Sequence, residues 1–117
     1  MSNSSVGRLG EDKATSYLLS QGYSILQRNY RTKLGELDIV AQKRGIITFC
    51  EVKTRIGDSK GKPYEAVDKC KLQHLYRACQ LYVLQNKLKN AKLSLQVISI
   101  ELSSNLSVKS LRMYEVI

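Results

Sequence analysis

Two neighbouring β-rich runs joined by a short turn constrain the fold of this chain more than any other feature. Residues 36–42 read Glu-Leu-Asp-Ile-Val-Ala-Gln, and residues 46–53 read Ile-Ile-Thr-Phe-Cys-Glu-Val-Lys. Between them, Lys43-Arg44-Gly45 has the composition of a turn. The pattern therefore predicts an antiparallel hairpin.

The remaining elements surround this hairpin. Two helices are predicted from apolar spacing and capping residues: one from about Val6 to Gln21-Gly22, and one from about Tyr64 to Leu88. Three further strands are predicted from β-rich composition: residues 25–30, 94–102 and 107–116. The resulting order, α-β-β-β-α-β-β, predicts a single α/β domain over residues 1–117. In this domain a central mixed β-sheet would be flanked by helices.

The charge of the chain indicates a polyanionic partner. The 19 Lys and Arg residues outnumber the 10 Asp and Glu residues, which gives a formal net charge of +9 on 117 residues. Nucleic acid is the leading interpretation, and an anionic membrane is weaker because the chain has no Trp and one Phe. The chain has no long apolar run and no signal-peptide pattern at its start. We therefore expect a cytoplasmic protein without a membrane partner.

Two rows of polar side chains are predicted on the hairpin. Because alternate residues of a strand share a face, Glu36 and Asp38 form one row, and Glu51 and Lys53 belong to the other. Two carboxylates and a lysine at one point are costly to bury unless a divalent cation joins them, and oxygen ligands favour Mg²⁺ or Mn²⁺. We therefore predict a catalytic site of Asp38, Glu51 and Lys53. A solvated cross-strand ion pair is the alternative.

Glu11 interrupts the apolar pattern of the first helix. It shares one helical face with Gly7, Ala14 and Leu18, so it is placed among inward-facing residues. We predict that Glu11 completes the metal site of Asp38 and Glu51, directly or through water. The alternative is an acid near the helix start that interacts favourably with the helix dipole.

Basic residues flank the predicted site in sequence. We expect five of them to contact nucleic-acid phosphates: Arg28, Arg31, Lys33, Arg55 and Lys71. A solubilising role is the alternative for several of them, and Lys71 could extend along the second helix towards water. Glu36 is expected to contact Arg31 or Lys33 rather than a metal ion.

The acids and the lysine carry a resemblance to a known superfamily. Asp38 followed by Glu51-Val52-Lys53 resembles the pattern of the PD-(D/E)xK, or restriction-endonuclease-like, phosphodiesterases. A longer series of segments resembles the YraN family of uncharacterised bacterial proteins: Gly10-Glu11-Asp12, Arg28-Asn29-Tyr30-Arg31, residues 35–41, residues 51–55, and Glu65-Ala66-Val67 with Lys71. The resemblance covers nearly the whole chain. It implies a restriction-endonuclease-like fold similar to that of archaeal Holliday junction resolvases. It also implies that Asp38, Glu51 and Lys53 occupy catalytic positions, and that Glu11 matches the acid of the first helix.

These observations predict a Mg²⁺- or Mn²⁺-dependent endonuclease that acts on DNA rather than RNA, on branched or structured DNA by analogy with the resolvases. Asp38 and Glu51 would hold the metal, and Lys53 would assist the attack of water. The alternatives are a non-catalytic nucleic-acid-binding module of a repair or recombination assembly, and a protein-interaction domain. A homodimer would suit a junction enzyme, although no residue pattern demonstrates one.

Overall fold

The structure, a computed structural model, describes residues 3–57 and 69–116. Within these residues the chain forms two helices and five strands: α1 Asn3–Ser20, β1 Ser24–Arg31, β2 Glu36–Lys43, β3 Ile46–Ile56, α2 Lys69–Gln85, β4 Lys92–Leu102 and β5 Val108–Glu115. The predicted order of elements is confirmed. The predicted start of the second helix at Tyr64 lies outside the described residues.

The strands form one five-stranded sheet, in which they lie side by side in chain order. β3 and β4 are parallel, whereas the other neighbouring pairs are antiparallel. A parallel pair needs a long crossover connection, and α2 lies between β3 and β4 in the chain. The predicted fold class, a mixed sheet flanked by helices, is confirmed, and it is compatible with a restriction-endonuclease-like fold.

Each helix covers one face of the sheet. The α1 face contains this buried cluster: Ala14, Leu18, Ile39, Ala41, Cys50, Ile98, Ile100 and Leu102. The α2 face contains another: Tyr30, Leu37, Val40, Ile47, Phe49, Leu75, Ala78, Cys79, Tyr82 and Leu95. Burial of these two apolar layers is the main stabilising contribution to a domain of this kind. Neither α1 nor α2 combines the length and the apolar character of a membrane-spanning helix.

The end of α1 follows from the glycine that the sequence places there. Gly22 has a φ of 91°, in the left-handed region that favours glycine. The Tyr23 N–H donates to the Leu18 carbonyl at 3.0 Å, and the Gly22 N–H donates to the Leu19 carbonyl at 3.1 Å. These two bonds form a Schellman motif, which satisfies carbonyls at the helix end. The predicted end at Gln21-Gly22 is confirmed.

The predicted hairpin is present but shorter than its two runs suggest. Arg44 and Gly45 have φ values of 52° and 79°, as a two-residue type I′ turn requires. The β2–β3 ladder runs from Lys43 opposite Ile46 to Ile39 opposite Cys50 and ends there, within the described residues. β3 continues to pair with β4 as far as Ile56. The backbone pairing of β2 with β3 therefore ends next to Asp38 and Glu51.

Candidate functional site

Asp38 occupies the point where the β2–β3 ladder stops. Its Oδ2 accepts a hydrogen bond of 2.7 Å from the Val52 N–H of β3. A side-chain oxygen of β2 thus satisfies a β3 amide, the role that a backbone carbonyl has in a continuing ladder. This bond fixes the carboxylate at the end of the β2–β3 ladder.

The regular alternation of β2 also breaks at this residue. Leu37 and Ile39 are two residues apart and would share a face in an even strand, but Leu37 packs on the α2 face and Ile39 on the α1 face. On β1, Asn29 lies between the partners of Leu37 and Ile39 and has a φ of 55°. The left-handed conformation is one that asparagine tolerates better than most residues. The irregularity therefore involves both strands at the level of Asp38.

Glu51 is the most deeply buried carboxylate of the site, with 6% of its side chain exposed. Two ammonium groups contact the same oxygen: the Nζ atoms of Lys53 and Lys71 each lie 3.5 Å from Glu51 Oε1. Lys53 is two residues further along the same face of β3, and Lys71 comes from α2. A buried carboxylate without counter-charge is strongly unfavourable, and these two lysines supply counter-charge to Glu51. Glu51 is therefore not the solvated ion pair of the alternative interpretation.

Asp38 carries the strongest electrostatic perturbation among the acids of the site. The pKa of Asp38 is raised from 3.8 to about 7, first by burial and second by the negative charge of Glu51. The hydrogen bond from the Val52 N–H opposes the rise in pKa, while the charges of Glu11 and Glu36 add to it. A carboxylate whose charge raises the pKa of a neighbouring carboxylate is near enough to share a cation with it.

Glu11 reaches this region because α1 packs closely on β3. A Cβ atom added at Gly10 would lie 1.8 Å from Thr54 Oγ1, so glycine is required at this contact. Burial raises the pKa of Glu11 above its ordinary value; the charge of Arg28 lowers it, and several acids, including Glu36, raise it. The prediction that Glu11 belongs to the acidic region is thus supported by its electrostatic interaction with Asp38.

A second glycine, Gly35, lets the loop before β2 approach α2 closely. A Cβ atom added at Gly35 would lie 2.7 Å from the His74 carbonyl of α2, so the loop before Glu36 approaches the helix backbone directly. The same loop is closed by Thr32, whose hydroxyl donates to the Gly35 carbonyl at 2.7 Å. His74 itself is exposed. This contact fixes the chain that leads into Asp38.

The donor set suits a hard divalent cation held by few protein ligands. Among residues 3–57 and 69–116, no three His, Cys, Asp or Glu side chains are grouped closely enough to hold a metal ion. Mg²⁺ usually keeps several waters and takes only one or two carboxylates, a number that Asp38 and Glu51 can supply. Their mutual repulsion would be relieved by a cation. The set of Glu11, Asp38 and Glu51 as metal ligands stays a prediction.

A cleft of about 600 Å³ lies between α1 and β1, and Glu11 is one of its lining residues. Three arginines and three acids are among its lining residues: Arg8, Arg28, Arg31, Glu11, Asp12 and Glu36. Arg28 Nη2 lies 2.8 Å from Asp12 Oδ1, and Arg31 Nε lies 3.6 Å from Glu36 Oε1, as expected for Glu36. Arg8 was not predicted, although it lies one helical turn before Glu11 on α1. We call this cleft the arginine cleft.

The other predicted phosphate contacts lie outside the arginine cleft. Lys33 lines a separate cleft with residues of α2, including Leu81. Arg55 lies opposite Glu101 in the parallel β3–β4 register. Lys71 contacts Glu51, a contact that neither interpretation of this residue included. Nucleic-acid binding by these residues stays a prediction.

Comparison with known proteins assigns the chain to one family. The model of the family described as uncharacterised protein family UPF0102 matches residues 10–100. The chain belongs to the UPF0102 family. This is the YraN family that the motif series resembles, so the recognition is confirmed.

Three UPF0102 relatives illustrate the similarity. A UPF0102 protein of Dictyoglomus thermophilum is 42% identical over 105 residues, which cover 90% of this chain and 89% of the relative. One of Syntrophotalea carbinolica is 47% identical over 96 residues, covering 82% and 78% of the two chains. One of Clostridium tetani is 41% identical over 98 residues, covering 84% and 80%. These names state no reaction, so the function of the UPF0102 chain must be argued from its site.

The pKa of Asp38 predicts how the stability of the UPF0102 chain depends on pH without metal. Because the folded-state pKa of about 7 lies above the ordinary 3.8, the folded state binds more protons between these values. The free energy of unfolding contributed by this group should therefore fall as pH rises from about 4 to about 7. Urea unfolding in EDTA at pH 5 and pH 8 measures this decrease in the free energy of unfolding. The loss on going to pH 8 should be smaller in Asp38→Asn, and equal losses in both proteins would contradict the assignment.

Proposed function

We propose that this chain is a Mg²⁺- or Mn²⁺-dependent nuclease that hydrolyses phosphodiester bonds of DNA. The observation that carries the proposal is the juxtaposition at the end of the β2–β3 ladder. There Asp38, with its raised pKa, lies beside the buried Glu51, and Glu51 contacts Lys53. Perturbed carboxylates next to a lysine in a basic protein are typical of catalytic rather than purely structural sites.

Each residue has a distinct role in the proposed reaction. Asp38 and Glu51 would hold the metal ion through their carboxylate oxygens. When bound, the ion supplies Lewis-acid polarisation of the phosphate and lowers the pKa of water. Lys53 would orient the attacking water and offset the negative charge that develops on the phosphate. The Val52 N–H keeps Asp38 in place for this task.

The surroundings of the site support a polyanionic substrate. The arginine cleft is lined by Glu11 and Glu36, whose charges act on Asp38. Its guanidinium groups suit the backbone phosphates that sequence-independent binding requires. The acids in the same cleft would repel phosphate unless a cation neutralises them, so we expect metal to strengthen DNA binding. We propose branched or structured DNA as the substrate because the motifs resemble those of the resolvases.

Cleavage assays test this function directly. Purified protein is incubated with four-way junction, single-stranded and duplex DNA in Mg²⁺, in Mn²⁺ and in EDTA. We expect metal-dependent products that Asp38→Ala reduces by about 10²-fold or more. RNA versions of the same substrates test the preference for DNA. If the wild-type protein is no more active than Asp38→Ala on every substrate, the nuclease proposal is wrong.

A nucleic-acid-binding module without turnover is the second candidate. The observation that favours it is the pair of lysine contacts, because Lys53 and Lys71 already neutralise Glu51 without an ion. This candidate requires salt-dependent DNA binding that is unchanged in Glu51→Ala and in EDTA, together with absent cleavage. The same samples therefore distinguish the two functions.

A further inference from the structure

A second cleft lies at the opposite end of the sheet from the carboxylates. It has a volume of about 570 Å³ and opens beyond the last turn of α1, where Tyr23 contributes to its wall. Its described lining residues include three cationic side chains, Lys43, Arg44 and Lys92, and one carboxylate, Glu115. This excess of positive charge favours an anionic ligand.

The floor of the cleft is polar, although the same face is apolar elsewhere. Thr48 and Ser94 are 2% and 9% exposed, and Gln96 Nε2 donates to Ser94 Oγ at 3.1 Å. The next alternate residues of β4, Ile98 and Ile100, belong to the apolar cluster under α1. Hydroxyl groups can donate hydrogen bonds to phosphate oxygens, whereas the apolar residues under α1 cannot. The sheet face thus changes from apolar to polar at the point where α1 no longer covers it.

The Lys43 side chain is held at the rim by a ring contact, and the backbone of Arg44 is fixed by the hairpin turn. The Lys43 ammonium lies 5.1 Å from the centroid of the Tyr23 ring, in a cation–π contact. Arg44 belongs to the two-residue hairpin turn, in which it and Gly45 both have positive φ. A side chain that is already positioned loses less conformational entropy when a ligand binds.

We infer that this second cleft is a phosphate-binding site, which we call the phosphate cleft. Lys43, Arg44 and Lys92 offset the charge of the ligand, and Thr48 and Ser94 donate hydrogen bonds to it. Lys43 and Asp38 lie at opposite ends of β2, about 16 Å apart along the strand. The phosphate cleft is therefore a site separate from the carboxylates. A nucleic-acid backbone and a free nucleotide both carry phosphate, and the experiment distinguishes these two sources.

The test titrates the full chain with three probes: inorganic phosphate, a 5′-mononucleotide and a short DNA duplex. Backbone amide NMR signals of Thr48 and Ser94 report binding at the cleft itself. We expect saturable shifts that require about tenfold more phosphate in the double variant Lys43→Gln, Lys92→Gln. The matched control is Lys13→Gln, Arg77→Gln, which removes the same charge from exposed positions outside the cleft.

Each outcome supports or overturns the inference. Saturation at the lowest concentration by the duplex identifies a nucleic-acid backbone as the source, and saturation first by the mononucleotide identifies a free nucleotide. No saturable shift with any probe, or equal affinity in the two double variants, overturns it. Thr48→Val removes a floor hydroxyl with little change of shape and should also weaken binding, which keeps the test decisive if the lysine variant fails to fold. Cleavage is assayed separately against Asp38→Ala, so a failure to bind phosphate in this cleft does not contradict the nuclease proposal.

Discussion

Replacing Glu51 with glutamine is expected to reduce metal-dependent DNA cleavage by about 10²- to 10³-fold. The change removes a proposed metal ligand and, at once, the negative charge that Lys53 and Lys71 contact. We expect the fold to persist because the side chains of Lys53 and Lys71 keep 30% and 40% of their surface exposed and can turn towards water. Cleavage rates in Mg²⁺ and circular dichroism of both proteins measure the two expectations.

The same variant should lose the thermal stabilisation that Mg²⁺ gives the wild type, since a ligand stabilises only a fold that binds it. Glu101→Gln is the matched control, because Glu101 is also a strand carboxylate but does not act on Asp38 or Glu11. It should retain both cleavage and the response to Mg²⁺. Full activity in Glu51→Gln would remove Glu51 from the catalytic site, and loss of both properties in Glu101→Gln would indicate a general structural effect.

Replacing Gly10 with alanine is expected to destabilise the protein by about 2 kcal/mol or more, and to lower Tm by roughly 8 °C or more. The added Cβ would lie 1.8 Å from Thr54 Oγ1 and 2.8 Å from Thr54 Cβ, so α1 must move away from β3. This movement also displaces Glu11 from the acidic region, and cleavage should fall as well. Thermal unfolding followed by circular dichroism measures the stability.

Gly7→Ala provides the control on the same helix. A Cβ atom at Gly7 would meet nothing within 4 Å, so only the gain in helix propensity remains, and we expect stabilisation by up to about 1 kcal/mol. Thr54→Ala combined with Gly10→Ala should recover part of the lost stability, because it removes two of the three clashing atoms. If Gly10→Ala behaves like Gly7→Ala, the close approach of α1 to β3 is wrong.

Local sequence patterns determined the elements of this fold and the residue types of the site. Alternation and turn composition predicted the hairpin, and Gly22 predicted the end of α1, because these features depend only on residues near in sequence. The spacing of Glu51 and Lys53 likewise placed both on one strand face. Residues of a motif whose positions are close in sequence can be found without knowing their tertiary contacts.

Tertiary packing decided what those residues contact. The β2–β3 ladder ends at Ile39 and Cys50, so Asp38 bonds to Val52 instead of lying in an even row with Glu36. Periodicity could not predict this end, because the irregularity at Asp38 involves Asn29 of another strand.

Contacts between distant segments completed the site. Lys71 reaches Glu51 from α2, 20 positions further along the chain, and Gly10 sets the distance between α1 and β3. The raised pKa of Asp38 depends on burial and on charges from other elements. The sequence by itself therefore determined which acids and lysines this protein has and on which elements they lie. Only the tertiary structure decided which of them meet, because burial and charge interactions act between segments that are far apart in the chain.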